Sequence, residues 1–559
     1  MVSEAFSQTP ASLRKALDAI QNKDYQSAIT LLESELKRTP DMEEARYYLG
    51  LALWEVGRKD QAIAEIKKAR QSSPKNPEYL FTHGKFLLDQ KMHVEAKAIF
   101  QEGLKQKNKT NALYGMGLVL VAQDSLDRGL EFFLQAREAD SNNAKVYRGI
   151  GDAYAKQKVL SLAIENYNKA VEIEPGWIEV YFTLGKLLLK ERPPRVNEAL
   201  AAFKKVVELD PNNAEAHFEV GNLYYLAKRP QEALPELESF VKLKPNSYPG
   251  QFILAKTQYA VRKLPEAVAS AERAYKIDPT TDALELLARV YFDSRDSTSL
   301  QKSAEAYTKL SQSNGYQLEG DSYLRWGRAL SRLKRYGEAI PKFEAYLKTD
   351  STQTDIYNDI GGLYIREKRF DEAIAAFDRR VSLTSTAEMK TKADSTSFAR
   401  VYFNKGMCYM LKQDYPGAVA TLRTGLLYEG NYTQAWTWLA QSYGQMDSTA
   451  QTKAAYEQVL RLAPNNVEAN RQLGFYYLVK ASLNKSDEGP DKKSLESAVI
   501  YLKKAVELDP ANELSHLWLA QSYHSLGRVP EAKAEYHATL RINPKNQDAI
   551  KGLKVLEAY

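Results

Sequence analysis

The chain has 559 residues, several times what one ordinary domain needs, so it is either multidomain or repetitive. Its 44% apolar and 26% charged content is that of a folded protein, and 77 basic against 71 acidic residues leave a near-neutral +6 that points to no polyanionic partner. The single cysteine, Cys408, excludes an internal disulfide framework and any cysteine-based zinc or iron–sulfur site.

Residues 1–8 read as a polar N-terminal tail. Ala5-Phe6-Ser7 before Gln8 resembles the end of a secretory cleavage site, but the basic start and apolar stretch of such a signal are missing. An ordinary polar tail fits the same residues, so a cytoplasmic and a periplasmic location both stay open, the second favoured if a signal has been removed. The most apolar stretch, Ala112–Ala122, has eleven residues against the roughly 18 that a bilayer span requires, so no membrane span is expected.

From residue 9 the chain repeats itself. Val146-Tyr147-Arg148-Gly149-Ile150-Gly151-Asp152-Ala153-Tyr154 is followed by Ala163, Tyr167, Ala170 and Pro175. Ala216-His217-Phe218-Glu219-Val220-Gly221-Asn222-Leu223-Tyr224 is followed, at the same spacings, by Ala233, Leu237, Phe240 and Pro245. Fifteen such units begin near residues 9, 43, 77, 110, 144, 178, 214, 248, 281, 320, 354, 399, 433, 467 and 513. Position eight is Gly in ten of them and Ala in five; position twenty is Ala in twelve. Nine units end on a proline, which cannot continue a helix. Small residues at eight and twenty let two helices approach closely, while apolar residues at four, seven, eleven and twenty-four fill the layer between units.

This pattern resembles the tetratricopeptide-repeat (TPR) family over nearly the whole chain. The resemblance implies an all-α, right-handed superhelical solenoid of about fifteen helix-turn-helix repeats, residues 9–546, with each repeat contributing an A and a B helix. We expect 75–80% helix and roughly thirty antiparallel helices. The polar segment 386–398 separates repeats one to eleven (9–385) from repeats twelve to fifteen (399–546) and is the candidate hinge. Residues 547–559 carry Ile550, Leu553, Val555 and Leu556 at helical spacing and are expected to cap the last repeat.

No catalytic or cofactor chemistry emerges. The Gly-x-Gly pairs at 115–117 and 149–151 fall on repeat helices, with no strand before them. Asn484–Gly489 fails as a calcium loop because its twelfth position is Leu495. His516, His524 and His537 share the last repeat but project in different directions, so no metal site is assigned. Cys408 reads as a buried structural thiol. The Asn108, Asn431 and Asn484 sequons are no more than chance supplies. The repeats run to residue 546 and leave no room after them for a catalytic domain, so a non-catalytic protein is expected.

In the family, positions two, five, nine and twelve of helix A line the concave groove. Repeats six to ten place Lys186, Asn222, Lys256, Arg289 and Arg328 at position nine. Phe182, Phe218 and Phe252 stand at position five, and Tyr225, Tyr259 and Phe292 at position twelve. Aromatic rows beside a basic row suit a protein or peptide with acidic and apolar side chains. A solvated helix face, or contact with another turn of the same array, would use the same residues. The carboxylate clamp of chaperone-tail readers is not supplied by any three consecutive repeats. The leading expectation is therefore a protein-interaction scaffold or adaptor, with a cell-envelope assembly as one form of it. The alternative class is a helical-repeat nucleic-acid binder, which the near-neutral charge disfavours.

Overall fold

A computed structural model describes residues 11–383, 392–484 and 490–558. Among the described residues there are 31 helices, which cover 79% of those residues, and no strand. Thirty helices pair as fifteen antiparallel A–B hairpins in the expected register, from Ala11–Gln21 with Tyr25–Arg38 to Glu513–Ser525 with Val529–Ile542. Within the first unit, repeats one to eight, and within the second, repeats nine to fifteen, each hairpin packs on its sequence neighbours. The chain forms two compact units, Met1–Pro279 and Thr280–Tyr559.

Local chemistry fixes the helix ends. Asn76, Asn213, Asn466, Asn512 and Asn546 cap A helices or the terminal helix by accepting a backbone N–H two or three residues on. Between A and B, position fifteen takes a left-handed backbone in every repeat but the sixth and fourteenth, from Lys23 (φ 59°) through Lys228 (58°) to Gly527 (74°). That one residue reverses the chain tightly enough for helix B to lie back on helix A.

Position eight and position twenty-four of the same repeat form the centre of each hairpin. A Cβ on Gly50 would lie 2.6 Å from Ile66, on Gly185 2.7 Å from Phe203, and on Gly361 2.5 Å from Phe377. Each glycine is thus the seat of a buried apolar side chain from its own repeat's B helix. Phe100, Phe133, Tyr167, Phe203, Phe343 and Phe377 are nearly or wholly buried there. Repeat eight alone puts an alanine, Ala271, at position twenty-four, and its B helix buries only Ala267, Ser270, Ala271 and Ala274. The division into two units falls directly after that repeat.

Position four does more than fill the layer. In seven repeats its side chain also donates to the carbonyl six residues earlier, in the turn that precedes helix A, and the rings of Tyr147 and Trp436 still pack on the core. The pairs are Arg46–Pro40, Tyr147–Ser141, His217–Pro211, Gln251–Pro245, Trp436–Gly430, Asn470–Pro464 and His516–Pro510, at 2.7–3.2 Å. The turn carbonyl has no helical partner, so the side chain satisfies it and ties one repeat to the next.

The two units meet in sequence at Pro279–Thr280, and Lys392–Leu411 is one helix of 20 residues that takes in part of the 386–398 segment. Phe398 is buried, with its ring edge-on to Tyr402 (5.3 Å) and Tyr428 (5.2 Å), which carries helix A back into the nominal linker. Residues 386–391 and the 1–8 tail lie outside the described residues. The terminal helix Gln547–Glu557 packs through Ala549, Leu553 and Leu556, while Ile550 and Val555 point outward at 40% and 46% exposure.

Candidate partner-binding surfaces

Three A helices of the first unit, Ile178–Lys190, Ala214–Leu226 and Tyr248–Ala260, bring together eight of the predicted groove residues. Phe182, Phe218 and Phe252 are half-buried. Phe182 stands edge-to-face with Phe203 (5.4 Å), Phe218 lies tilted against Phe240 (4.9 Å), and Phe252 stacks on Tyr248 of its own helix (5.5 Å). Tyr225, Tyr259 and Asn222 are half-buried beside them. The lysines do not extend freely. Lys186 Nζ sits 4.5 Å from the Phe182 centroid, and Lys256 Nζ lies 4.9 Å from Phe252 and 5.7 Å from Tyr225. Each ammonium thus rests against an aromatic face, where the ring quadrupole holds it.

The same surface is less basic than position nine alone suggests. Glu219 is half-buried, and desolvation pushes its carboxyl above the usual range, with Lys186 pulling it back. Glu215 is held below that range by its bond to Lys244, and Lys186 adds to the effect.

The three predicted residues of the second unit fare differently. Arg289 Nη2 lies 3.2 Å from Glu285 Oε1, and Glu285 also accepts from Tyr316 (2.7 Å) and Ser322 (3.3 Å). Its guanidinium is committed within the fold. Phe292 is buried at 8% exposure in a cluster with Leu300 and Ala329, under Leu333. The groove assignment of Phe292 is therefore corrected: the following helices close over its ring. Arg328 is exposed on helix A of repeat ten, at the rim of a concavity of about 450 Å³ shared with repeat eleven.

A larger concavity, about 1000 Å³, opens on the A helices of repeats thirteen and fourteen, and sequence reasoning missed it. Phe475, Val479 and Leu483, at i, i+4 and i+8 on helix Val467–Leu483, line it with 37%, 38% and 80% exposure. Gln441 and Gln472 supply amides on its wall. Gly444 leaves it open, since a Cβ there would touch only Thr452 at 3.9 Å. The available signal was an aromatic at position nine of repeat fourteen beside a glycine at position twelve of repeat thirteen. Attention to basic entries at position nine passed over both.

Of the residues weighed for metal or thiol chemistry, His516, His524 and Cys408 are accounted for within the fold, and His537 is exposed. His516 Nδ1 lies 2.5 Å from Glu535, and His524 Nδ1 lies 3.4 Å from the Tyr536 hydroxyl. Cys408 is fully buried, and burial pushes its thiol up to about 12.

Family models described as tetratricopeptide repeat match residues 13–77, 114–176, 324–387, 433–466 and 491–555, and one described as TPR repeat matches 195–227. The chain belongs to the tetratricopeptide-repeat family. A curated TPR relative is the chloroplastic tetratricopeptide repeat domain-containing protein PYG7 of Arabidopsis thaliana, 25% identical over 122 residues. That match spans 21% of this chain and 40% of the relative's length. Among solved structures, the chain is similar to one in the APC/C hetero-tetramer Cut9–Hcn1, with 16% identity, 85% of this chain and 98% of that chain covered, and a TM-score of 0.31. It is also similar to one in Naa15/Naa10 bound to HypK-THB, with 13% identity, 98% and 96% coverage, and a TM-score of 0.32. YrrB, described as a TPR protein with an unusual peptide-binding site, is 23% identical over 33% of this chain and 95% of its own, with a TM-score of 0.28.

Proposed function

We propose that this TPR protein is a non-catalytic scaffold that holds a partner segment on the A-helix face of repeats six to eight. One observation carries the reading. Five aromatic rings, Phe182, Phe218, Tyr225, Phe252 and Tyr259, share that face and none of them is buried. Large rings left facing water in a row mark an interaction surface more often than a solvated one. Lys186 and Lys256, already placed over those rings, would pair the acidic side chains of a segment whose apolar side chains pack between them. Asn222 stands where it can bond the segment's backbone.

The test uses the full chain to recover partners from its source cells, with Lys186→Glu/Lys256→Glu as the comparison. The proposal expects recovered proteins to bind the charge-reversed chain at least fivefold more weakly, about 1 kcal/mol, with unchanged circular dichroism. A partner that binds both chains equally would contradict it. Recovery of RNA, with affinity falling steeply as salt rises, would favour the nucleic-acid class instead.

A further inference from the structure

Helix A of repeat fourteen, Val467–Leu483, has 17 residues against 13 in its neighbour Thr433–Gln445. The extra turn belongs to the insertion by which repeat fourteen exceeds the regular repeat length. It brings Leu483 and Asn484 into the lining of the concavity of about 1000 Å³, together with Gln445 and Asp447 at the A–B turn of repeat thirteen. The cleft is thus built by a departure from the repeat, not by the regular course of the groove.

One wall is aromatic. Phe475 stacks on Trp518 (4.3 Å, 28° between ring planes), which fixes the ring while 37% of the residue stays exposed. Tyr456 joins the lining from helix B of repeat thirteen. The facing wall is amide. Gln441 and Gln445 are exposed one helical turn apart, and among the described residues their side chains make no hydrogen bond. Gln472 donates its amide N–H to Glu468 Oε1 (2.9 Å), which leaves its carbonyl as an acceptor. Neither sign of charge prevails: Arg471 already bonds Glu468, and Asp447 stands against Lys480.

These walls select among ligands. Amides call for donors and acceptors together, and a ring face calls for flat apolar surface. An acyl chain satisfies the rings and leaves the amides unmatched. A phosphate finds one lysine among two carboxylates. A pyranose answers both walls. Each of its hydroxyls donates and accepts, and its axial C–H groups form an apolar face that the negative face of an aromatic ring attracts. The volume stands at the upper end of the roughly 300–1000 Å³ usual for small-ligand sites, room for a short chain of sugar rings. We propose that the cleft between repeats thirteen and fourteen binds a neutral oligosaccharide, with one sugar ring lying on Phe475 and its hydroxyls bonded to Gln441, Gln445 and Gln472. The proposal does not depend on the reading of repeats six to eight.

The test incubates the full chain with an array of neutral and acidic oligosaccharides and measures the strongest neutral ligand by isothermal titration calorimetry. Saturable binding of a neutral chain is expected, weakened at least tenfold by Gln441→Ala/Gln445→Ala, two exposed positions whose loss leaves packing untouched. Gly444→Trp, which fills the cleft and keeps every charge and amide, is expected to cause the same loss, and Phe475→Ala as well, with circular dichroism unchanged. Lys186→Glu/Lys256→Glu is expected to bind the sugar as the parent chain does. Absence of any neutral ligand on the array, binding confined to acidic sugars, or binding that neither the glutamine pair nor Gly444→Trp weakens would overturn the proposal. Loss only in Lys186→Glu/Lys256→Glu would overturn it too, as would tighter binding of an end-capped Ala–Ser peptide in the same cleft.

Discussion

A Cβ on Gly221 would stand 2.7 Å from Cγ of Leu237, closer than carbon atoms pack. The same pairing of position eight with position twenty-four recurs wherever position eight is glycine, from Gly50 with Ile66 to Gly474 with Leu502. The small residue is required less by backbone meeting backbone than by one B-helix side chain that needs the space. Gly221→Leu should therefore cost about 2–4 kcal/mol by overpacking. Contacts run only between neighbouring repeats, so amide exchange should quicken in repeats six to eight and stay unchanged in repeats one and fifteen. Equal loosening at both ends would contradict nearest-neighbour stabilisation.

His217 is held between Glu236 (2.6 Å) and the Pro211 carbonyl (3.0 Å), and His516 repeats the arrangement with Glu535 and Pro510. His217→Ala removes the bonds to both the turn carbonyl and the Glu236 carboxylate and should cost about 1 kcal/mol. His217→Gln should recover part of that loss, because Gln251 makes the corresponding bond to Pro245 at 2.9 Å in the next repeat. Urea unfolding of the three chains decides this. A glutamine variant no better than alanine would show that the turn carbonyl needs no latch.

His83 gives a pH signature. Burial, aided by Arg70 and Lys67, pushes its imidazole down to about 4, and its Nδ1 has no partner. Between pH 4 and its unfolded value of about 6.5 the unfolded chain holds more proton than the folded one, so stability rises with pH across that window and is lost as pH falls. Exchange protection of helix Pro77–Asp89 should follow this slope. His83→Leu should flatten it, and an unchanged slope would place the proton uptake elsewhere.

The repeat register was legible because it rests on covalent spacing. Every A–B pair and the alanine or glycine at position eight follow from residues a fixed distance apart. What depended on neighbouring helices was not legible. At position four, Tyr147 and Trp436 pack on the core as expected, while the bonds from their polar tips to the preceding turn show only in the folded chain. Phe292 stands at a groove position by count, yet Leu300 and Leu333 cover it. Arg289 is a different case: its partner Glu285, one helical turn back on the same face, was legible from the i,i+4 spacing, whereas the Tyr316 and Ser322 bonds that fix Glu285 were not. The lining of repeats ten and eleven combines Arg328 with residues some thirty positions later, a relation visible only once the hairpins are stacked.

The account's central claim is that the A-helix face of repeats six to eight is the partner surface. It is tested most directly by placing the photo-cross-linking residue p-benzoyl-phenylalanine at Phe252, and for comparison at Glu238, exposed on helix B of repeat seven. Irradiation in source cells should give discrete protein adducts at 252, mapped by mass spectrometry to acidic and apolar segments, and none at 238. Equal labelling at both positions, or adducts to nucleic acid at 252, would contradict the claim.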